Sequence, residues 1–264
     1  MSDNSMSRRK FLLGTGAVLG IAAIPTVVGP ALTANAAPTG LPWAYKAGGL
    51  DAVACARRAY EVYYQKGCAE ATWYPIVEAL AVDGASTWGT IPFGMFAYGG
   101  GGIGGWGTIC GTVNGSVAVA KMLGAPTGIV DTIMNYYSTT PLPTNATEKD
   151  AAAGAWIPAK TPMANVPTSI SNSPLCHSSI SQWCLMSGFA DGSNEQKDRC
   201  AKACYDMTFL TVTLLNEWKA GGTIIAPPLP ATVTGCKSCH TENSKGSMTC
   251  SPCHDQTVDH ASAK

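Results

Sequence analysis

The chain closes on two short clusters of thiols and imidazoles, Cys236-Lys237-Ser238-Cys239-His240 and Cys250-Ser251-Pro252-Cys253-His254. In a C-x-x-C-H sequence the two thiols can bond covalently to the two vinyl groups of one porphyrin, leaving the adjacent imidazole beneath the iron. Cys236, Cys239, Cys250 and Cys253 are therefore the expected attachment points of two haem c groups, with His240 and His254 as proximal iron ligands. One copy could arise by chance. Two within 19 residues of a chain with an export signal point to a dihaem c-type cytochrome. Two C-x-x-C pairs with nearby His also suit a zinc ribbon, but an imidazole directly after each second thiol favours haem. Two structural disulfides would leave the repeated His unexplained.

The histidines sharpen this reading. The chain has four, His177, His240, His254 and His260, and two bis-histidine haems need four. His177 and His260 are thus the candidate distal ligands. Six residues of extended chain span at most roughly 20 Å. His260 is therefore better placed to ligate the neighbouring haem, or one in a partner subunit, than to wrap round the haem of His254. His177 would tie the tail to the body of the protein. A methionine is the alternative distal ligand and would give a higher potential. Only nine residues separate His240 from Cys250, a tether short enough to keep the haems adjacent.

The amino terminus sets the compartment. Ser7-Arg8-Arg9-Lys10-Phe11-Leu12 precedes a moderately apolar stretch, and Ala34-Asn35-Ala36 offers a small-residue cleavage site. Residues 1–36 read as a twin-arginine signal peptide that sends the protein to the periplasm. An uncleaved anchor fits less well, because Pro25 and Pro30 interrupt the segment. No later stretch reaches 18 uninterrupted apolar residues, so no stable membrane insertion is expected after cleavage.

Seven of the eleven cysteines lie outside the haem motifs: Cys55, Cys68, Cys110, Cys176, Cys184, Cys200 and Cys204. An odd number cannot all pair within one chain, and unpaired thiols in an oxidising compartment call for another use. Thiolates are the ligands of iron–sulfur clusters. Cys68, Cys110, Cys176, Cys184, Cys200 and Cys204 are the candidates, as a subset, and Cys55 the spare. The plainer readings are a small apolar core residue or a disulfide. The twin-arginine route carries folded proteins, often already loaded with a cofactor, which suits a centre inserted before export.

These residues need a scaffold, and its periodicity is helical. Apolar spacing predicts helices over Leu50–Lys66, from Cys68 to about Ala81, Thr112–Leu123, from Pro126 to about Tyr137, near Glu148–Trp156, from Leu175 to Met186, and Glu195–Lys219 capped by Asn194. Cys200 and Cys204, four apart, share a helix face. Cys110 precedes a helix start, where a thiol pKa is depressed. The glycine-rich run from Phe93 to Thr108 lacks the Lys-Ser/Thr ending of a phosphate loop and reads as a close backbone approach to a cluster or a packed helix. The fold class is mainly α. A helical cysteine-rich domain occupies 37–222, a Pro-containing linker 223–235, and an irregular dihaem-binding tail 236–264. With 13% charged residues and formal net charge +0, neither a basic nucleic-acid surface nor an acidic tail is visible.

Cys55, Gly67-Cys68-Ala69, the glycine-rich loop, Cys110-Gly111 with Gly115, and Cys184 with Cys200 resemble the redox-active family named for its spaced Cys and Gly-Cys-Ala pattern. Together with Pro174-Leu175-Cys176-His177, Trp183-Cys184 and the haem tail, most of residues 37–264 resembles the split-Soret cytochromes c of sulfate-reducing bacteria. One position departs: where the pattern often carries Gly three residues after the triplet, this chain has Thr72. The resemblance implies a homodimer with two closely packed bis-histidine haems per subunit, an axial ligand donated across the dimer, and a separate iron–sulfur centre in the helical domain.

The expected function is periplasmic electron transfer with a partner redox protein. The alternative is a haem or iron–sulfur reductase acting on a small oxidised substrate, which would need an open iron position. A third class is a metal-binding or redox-sensing module without haem. No catalytic constellation is legible, since all four His are committed to iron and the carboxylates are scattered.

Overall fold

The computed structural model describes residues 40–81, 87–238, 240 and 247–249. The expected signal segment 1–36, and Cys239, Cys250, Cys253, His254 and His260 of the tail, lie outside the described residues.

The Asp51 carboxylate accepts from the N–H groups of Val53 and Ala54, both at 2.9 Å, and starts α1, Ala52–Lys66. Such a cap satisfies donors that have no partner inside the helix. Gly67, at φ 80°, closes α1 through its N–H to the Tyr63 carbonyl and turns the chain directly into α2, Cys68–Leu80. There follow α3 (Gly111–Met122), α4 (Thr127–Thr139), α5 (Ala146–Ala152), α6 (Cys176–Ser187), α7 (Asn194–Lys219) and α8 (Ala231–Lys237). The described residues hold two isolated bridges, Ile109 with Leu175 and Leu142 with Ser169, and no named strand. The fold is mainly α, as the periodicity predicts. No described helix is long and apolar enough to cross a membrane.

Most helix ends fall within one or two residues of the sequence expectation, and three differences have a clear physical reason. Ser193, not Asn194, caps α7: its hydroxyl accepts from Gln196 N–H at 3.1 Å, leaving Asn194 as the first helical residue. The short helix begins at Ala146 and ends at Ala152, with Gly154 at φ 75° just beyond it. Ala231–Lys237 is helical behind Pro230, where the expectation was linker running into the haem tail. Proline pre-sets the backbone angle for a helix start and lacks an N–H that would go unsatisfied there, so the Pro-rich stretch that reads as a linker also launches a helix.

The long helix α7 is the axis. α1, α2, α3 and α4 all pack on it. Met207, Val212 and Leu215 face the main core with Trp73, Ile76, Val113, Ile129 and Ile133. Ala201 and Tyr205 meet Ala56 and Tyr60 of α1. Between these two patches, Cys200 and Cys204 meet Ala59, Val62, Cys68 and Ala71. The fully buried Lys202 is paired with Asp198 at 3.2 Å and Glu148 at 2.7 Å. The hydroxyls of Tyr60 and Tyr64 donate to the same Asp198 at 2.6 and 2.9 Å. A buried charge is tolerated only when paired and hydrogen-bonded, and here the pairing fixes α1 and α5 against α7.

The departure at Thr72 is accommodated on the facing helix. Its hydroxyl lies 3.4 Å from the Gly111 carbonyl. A Cβ on Gly115 would fall 2.4 Å from the Thr72 hydroxyl and 2.2 Å from the Ala69 carbonyl. Gly115 therefore sets how closely α3 approaches α2. Gly115→Ala is expected to lower stability by about 3 kcal/mol, the upper range for overpacking, in urea unfolding. Gly235→Ala, with open space around it in α8, should be neutral or slightly stabilising.

Candidate metal centre

Three helices begin at a cysteine, and all three starts face the middle of α7. Cys68 is the first residue of α2, placed by the Gly67 turn. Cys110 is the N-cap of α3 and Cys176 the first residue of α6. The last two are brought together by the backbone. Cys110 N–H donates to the Pro174 carbonyl at 2.8 Å, Cys176 N–H to the Thr108 carbonyl at 2.7 Å, and His177 N–H to the Gly107 carbonyl at 3.0 Å. This pairing needs glycine: a Cβ on Gly107, at φ 68°, would fall 2.8 Å from the Cβ of His177. The glycine-rich loop is thus a close approach to a packed helix. α7 contributes Cys200 and Cys204, one helical turn apart.

The five thiols are buried. Cys110 interacts with Cys176, and Cys68 with both Cys200 and Cys204, and the Cys204 thiol lies 3.8 Å from the Cys68 carbonyl. Among the described residues, no group of three or more His, Cys, Asp and Glu side chains is arranged to hold a metal ion as the side chains stand. The thiols make two contacting groups, Cys110 with Cys176 and Cys68 with Cys200 and Cys204, near enough to raise one another's pKa.

Their electrostatics are uneven. The hydrogen bond from Cys176 lowers Cys110 to about 5, against burial and with help from the Thr112 hydroxyl at 3.2 Å and the Thr112 backbone. The helix N-terminus acts in the same sense. Donation to Cys110 and burial push Cys176 up. Donation to Cys68, and burial, raise Cys200; burial raises Cys204. Cys68 accepts from Cys200, yet donation to Cys204 and burial leave it raised.

One cation is buried with these thiols. Arg199, 2% exposed, reaches toward Cys200 Sγ with Nη1 at 3.8 Å and donates through Nη2 to Ser179 Oγ at 2.6 Å. Its Nε has no partner. Among the described residues no carboxylate pairs with Arg199, whereas the neighbouring Lys202 has two. Gln196 Nε2 donates to Cys200 Sγ at 3.0 Å. A pocket of thiols with an uncompensated guanidinium is short of negative charge, and thiolates bound to a metal would supply it. The residues present fit a thiolate-held metal centre.

The other sequence candidates sit elsewhere. Cys184 is half-buried near the carboxyl end of α6; burial, Asp191 and Cys200 raise its thiol, and Arg199 lowers it. Cys55 packs against α2, its thiol 3.8 Å from the Pro75 carbonyl. His177 is exposed at the start of α6, next to the loop that carries Trp106, 86% exposed. In the first haem motif, His240 N–H donates to the Cys236 carbonyl at 3.0 Å, adding a helical turn to α8 that puts Cys236 and His240 on one face.

Sequence reasoning missed Arg199, Gln196 and Glu70. Gln196 stands one turn before Cys200, a spacing that could have pointed to it. Arg199 and Glu70 carried no signal, because burial of a charge does not show in a pattern of residue types. Glu70, fully buried, accepts from Gly94 and Phe96 N–H, both at 2.6 Å, and so anchors the start of the glycine-rich loop to α2.

In metal-free protein the depressed Cys110 thiol stabilises the fold above its ordinary value of 9.0, and this contribution is lost as pH falls through about 5. The difference in unfolding free energy between wild type and Cys110→Ser should therefore grow as pH rises across that window and be flat below it, by urea titration.

No protein-family model matches the chain. The chain is 31% identical over 222 residues to the split-Soret cytochrome c of Desulfovibrio desulfuricans, covering 79% of this chain and 77% of that protein. A solved structure of split-Soret cytochrome c from the same species, described as having a novel iron centre, superposes with a TM-score of 0.68 at 30% identity. The match covers 81% of this chain and 92% of that one.

Proposed function

The chain belongs to the split-Soret cytochrome c family, and from that premise we propose that it is a periplasmic dihaem electron carrier with an iron–sulfur centre in its helical body. The observation that carries the second centre is the group of five buried thiols, Cys68, Cys110, Cys176, Cys200 and Cys204, with the uncompensated Arg199 against Cys200. Four of the five buried thiols are the proposed cluster ligands, and the partly exposed Cys184 is left outside the set. The iron centre described for the solved relative accords with this reading.

Haem c and a thiolate-bound cluster supply one-electron storage when bound; the residues of this chain hold, orient and insulate them. Cys236 and His240, on one face of the extended α8, are the covalent and proximal partners of the first haem, and Cys239 completes its motif. Cys250, Cys253 and His254 serve the second haem in the same way. His177, exposed at the start of α6, and His260 are the distal ligands. Linker residue Ile224 lies against the start of α4, where a Cβ on Gly128 would fall 2.6 Å from its carbonyl. That seating holds the approach to the tail against the body.

A second copy of the chain is the proposed partner that completes the haem sites. Large apolar side chains left exposed on this body, Trp106, Leu185 at 81% and Met186 at 68%, support association. A periplasmic redox protein would then exchange electrons with the assembly. The twin-arginine signal supports export after the cluster is inserted.

A pyridine haemochrome assay on purified protein should give about two covalent haems per chain, since each C-x-x-C-H binds one. Iron beyond the haem iron, with acid-labile sulfide, is expected from metal analysis; its absence overturns the cluster. Reduced wild-type protein should not bind carbon monoxide. His177→Ala should open about one haem iron per chain to it, because removing a distal imidazole frees that position. Carbon monoxide binding by the wild type would favour a reductase.

A further inference from the structure

We propose that Arg199, with Gln196, is the positioning pair that sets the reduction potential of the thiolate-held centre through Cys200. This rests on the iron–sulfur reading and goes beyond it by naming the residues that tune the centre.

The geometry is specific. Both side chains come from the same α7 turn as Cys200 and converge on its sulfur. Gln196 Nε2 lies at 3.0 Å and Arg199 Nη1 at 3.8 Å. Each is held from behind. Gln196 Oε1 accepts from Gly192 N–H at 3.2 Å, and Arg199 Nη2 donates to the buried Ser179 hydroxyl of α6 at 2.6 Å. Neither donor can relax toward solvent, since the Gln196 side chain is nearly buried and Arg199 fully so. Arg199 Nε is left without a partner.

The physical consequence has one sign. Uptake of one electron makes the pocket more negative by one charge, with no bond made or broken. A fixed guanidinium favours that reduced state, and donors on a ligand sulfur withdraw electron density from it, so both raise the potential. The effect is large where water cannot screen it. Lys202, the other buried cation of this helix, has no such role because Asp198 and Glu148 neutralise it.

The test uses the full-length holoprotein. Wild type, Arg199→Met, Arg199→Lys and Gln196→Met are each assayed for iron and acid-labile sulfide, then titrated electrochemically. The expected result is near-wild-type loading with the cluster couple moved in the reducing direction. Arg199→Met should shift its equilibrium at least tenfold, which is about 59 mV for one electron. Arg199→Lys should fall between it and wild type, and Gln196→Met should move in the same direction by less. Unchanged potentials in loaded Arg199→Met and Gln196→Met would overturn the proposal. So would a shift in Arg199→Met that Lys does not reduce while Gln196→Met stays at the wild-type value, the pattern of a packing defect. If Arg199→Met does not fold, Gln196→Met decides. A wild type lacking labile sulfide would overturn the cluster reading itself, and this proposal with it, and is recognised before any titration.

Discussion

A guanidinium buried among thiols, with no carboxylate beside it, is the constraint on which the centre of this structure turns. Arg199 and Lys202 lie one turn apart on α7, and both are buried. Lys202 is neutralised twice over, by Asp198 and Glu148, and contributes to packing. Arg199 is offered one hydroxyl and sulfur atoms. Placing an unpaired cation in a core is costly, so a chain that keeps one there gains by bringing anionic character to it. Thiolates near it would supply that, and the hydrogen bond from Cys176 lowers the Cys110 thiol to about 5.

Much of the remaining architecture follows from the need to present those thiols. Three of them occupy helix starts, where unsatisfied N–H groups and the helix dipole favour negative charge. Bringing helix starts to one point is difficult, because each needs a preceding segment that enters steeply without clashing. Gly67 does this for α2. For α3 and α6 the solution is mutual: residues 107–110 and 174–177 hydrogen-bond across to one another and so place Cys110 beside Cys176. The same short pairing sets His177 outward at the surface. The thiol pocket and the candidate haem ligand are thus neighbours in sequence and share one support.

The legibility of this in the sequence was uneven for physical reasons. Helices were readable because apolar periodicity and the turn glycines state them directly, and α7 was placed to its last residue at Lys219. The haem motif was readable because its chemistry is local: five consecutive residues carry both thiols and the imidazole. The thiol pocket was readable only as a set of candidates. Convergence of Cys68, Cys110, Cys176, Cys200 and Cys204 depends on helix packing across more than a hundred residues of chain, and spacing separates only the pair on α7. Cys184 shows the limit. It lies two turns beyond Cys176 on the same helix and looked equivalent as a residue type, yet α6 leaves the pocket as it runs on and carries Cys184 toward the surface. Ser193 took the capping role expected of Asn194 because neighbouring residues with similar side chains compete for the same N–H, and only backbone geometry decides between them.

The substitution at Thr72 shows how such a pocket tolerates change. A hydroxyl-bearing, β-branched residue stands in α2 where the related pattern often has glycine, one turn from Cys68. The extra volume is absorbed by Gly115 and Gly111 on α3, where an added Cβ would strike Ala69, Thr72 or Cys68. Close approach of α2 and α3 is what keeps Cys68 and Cys110 within electrostatic reach of each other. The requirement acts on the spacing between the helices, and which of the two supplies the small residue is secondary. A loss of smallness on α2 is therefore tolerable as long as α3 keeps its own, and Gly115 helps set the spacing of the thiols although no sulfur is among the atoms an added Cβ would meet first.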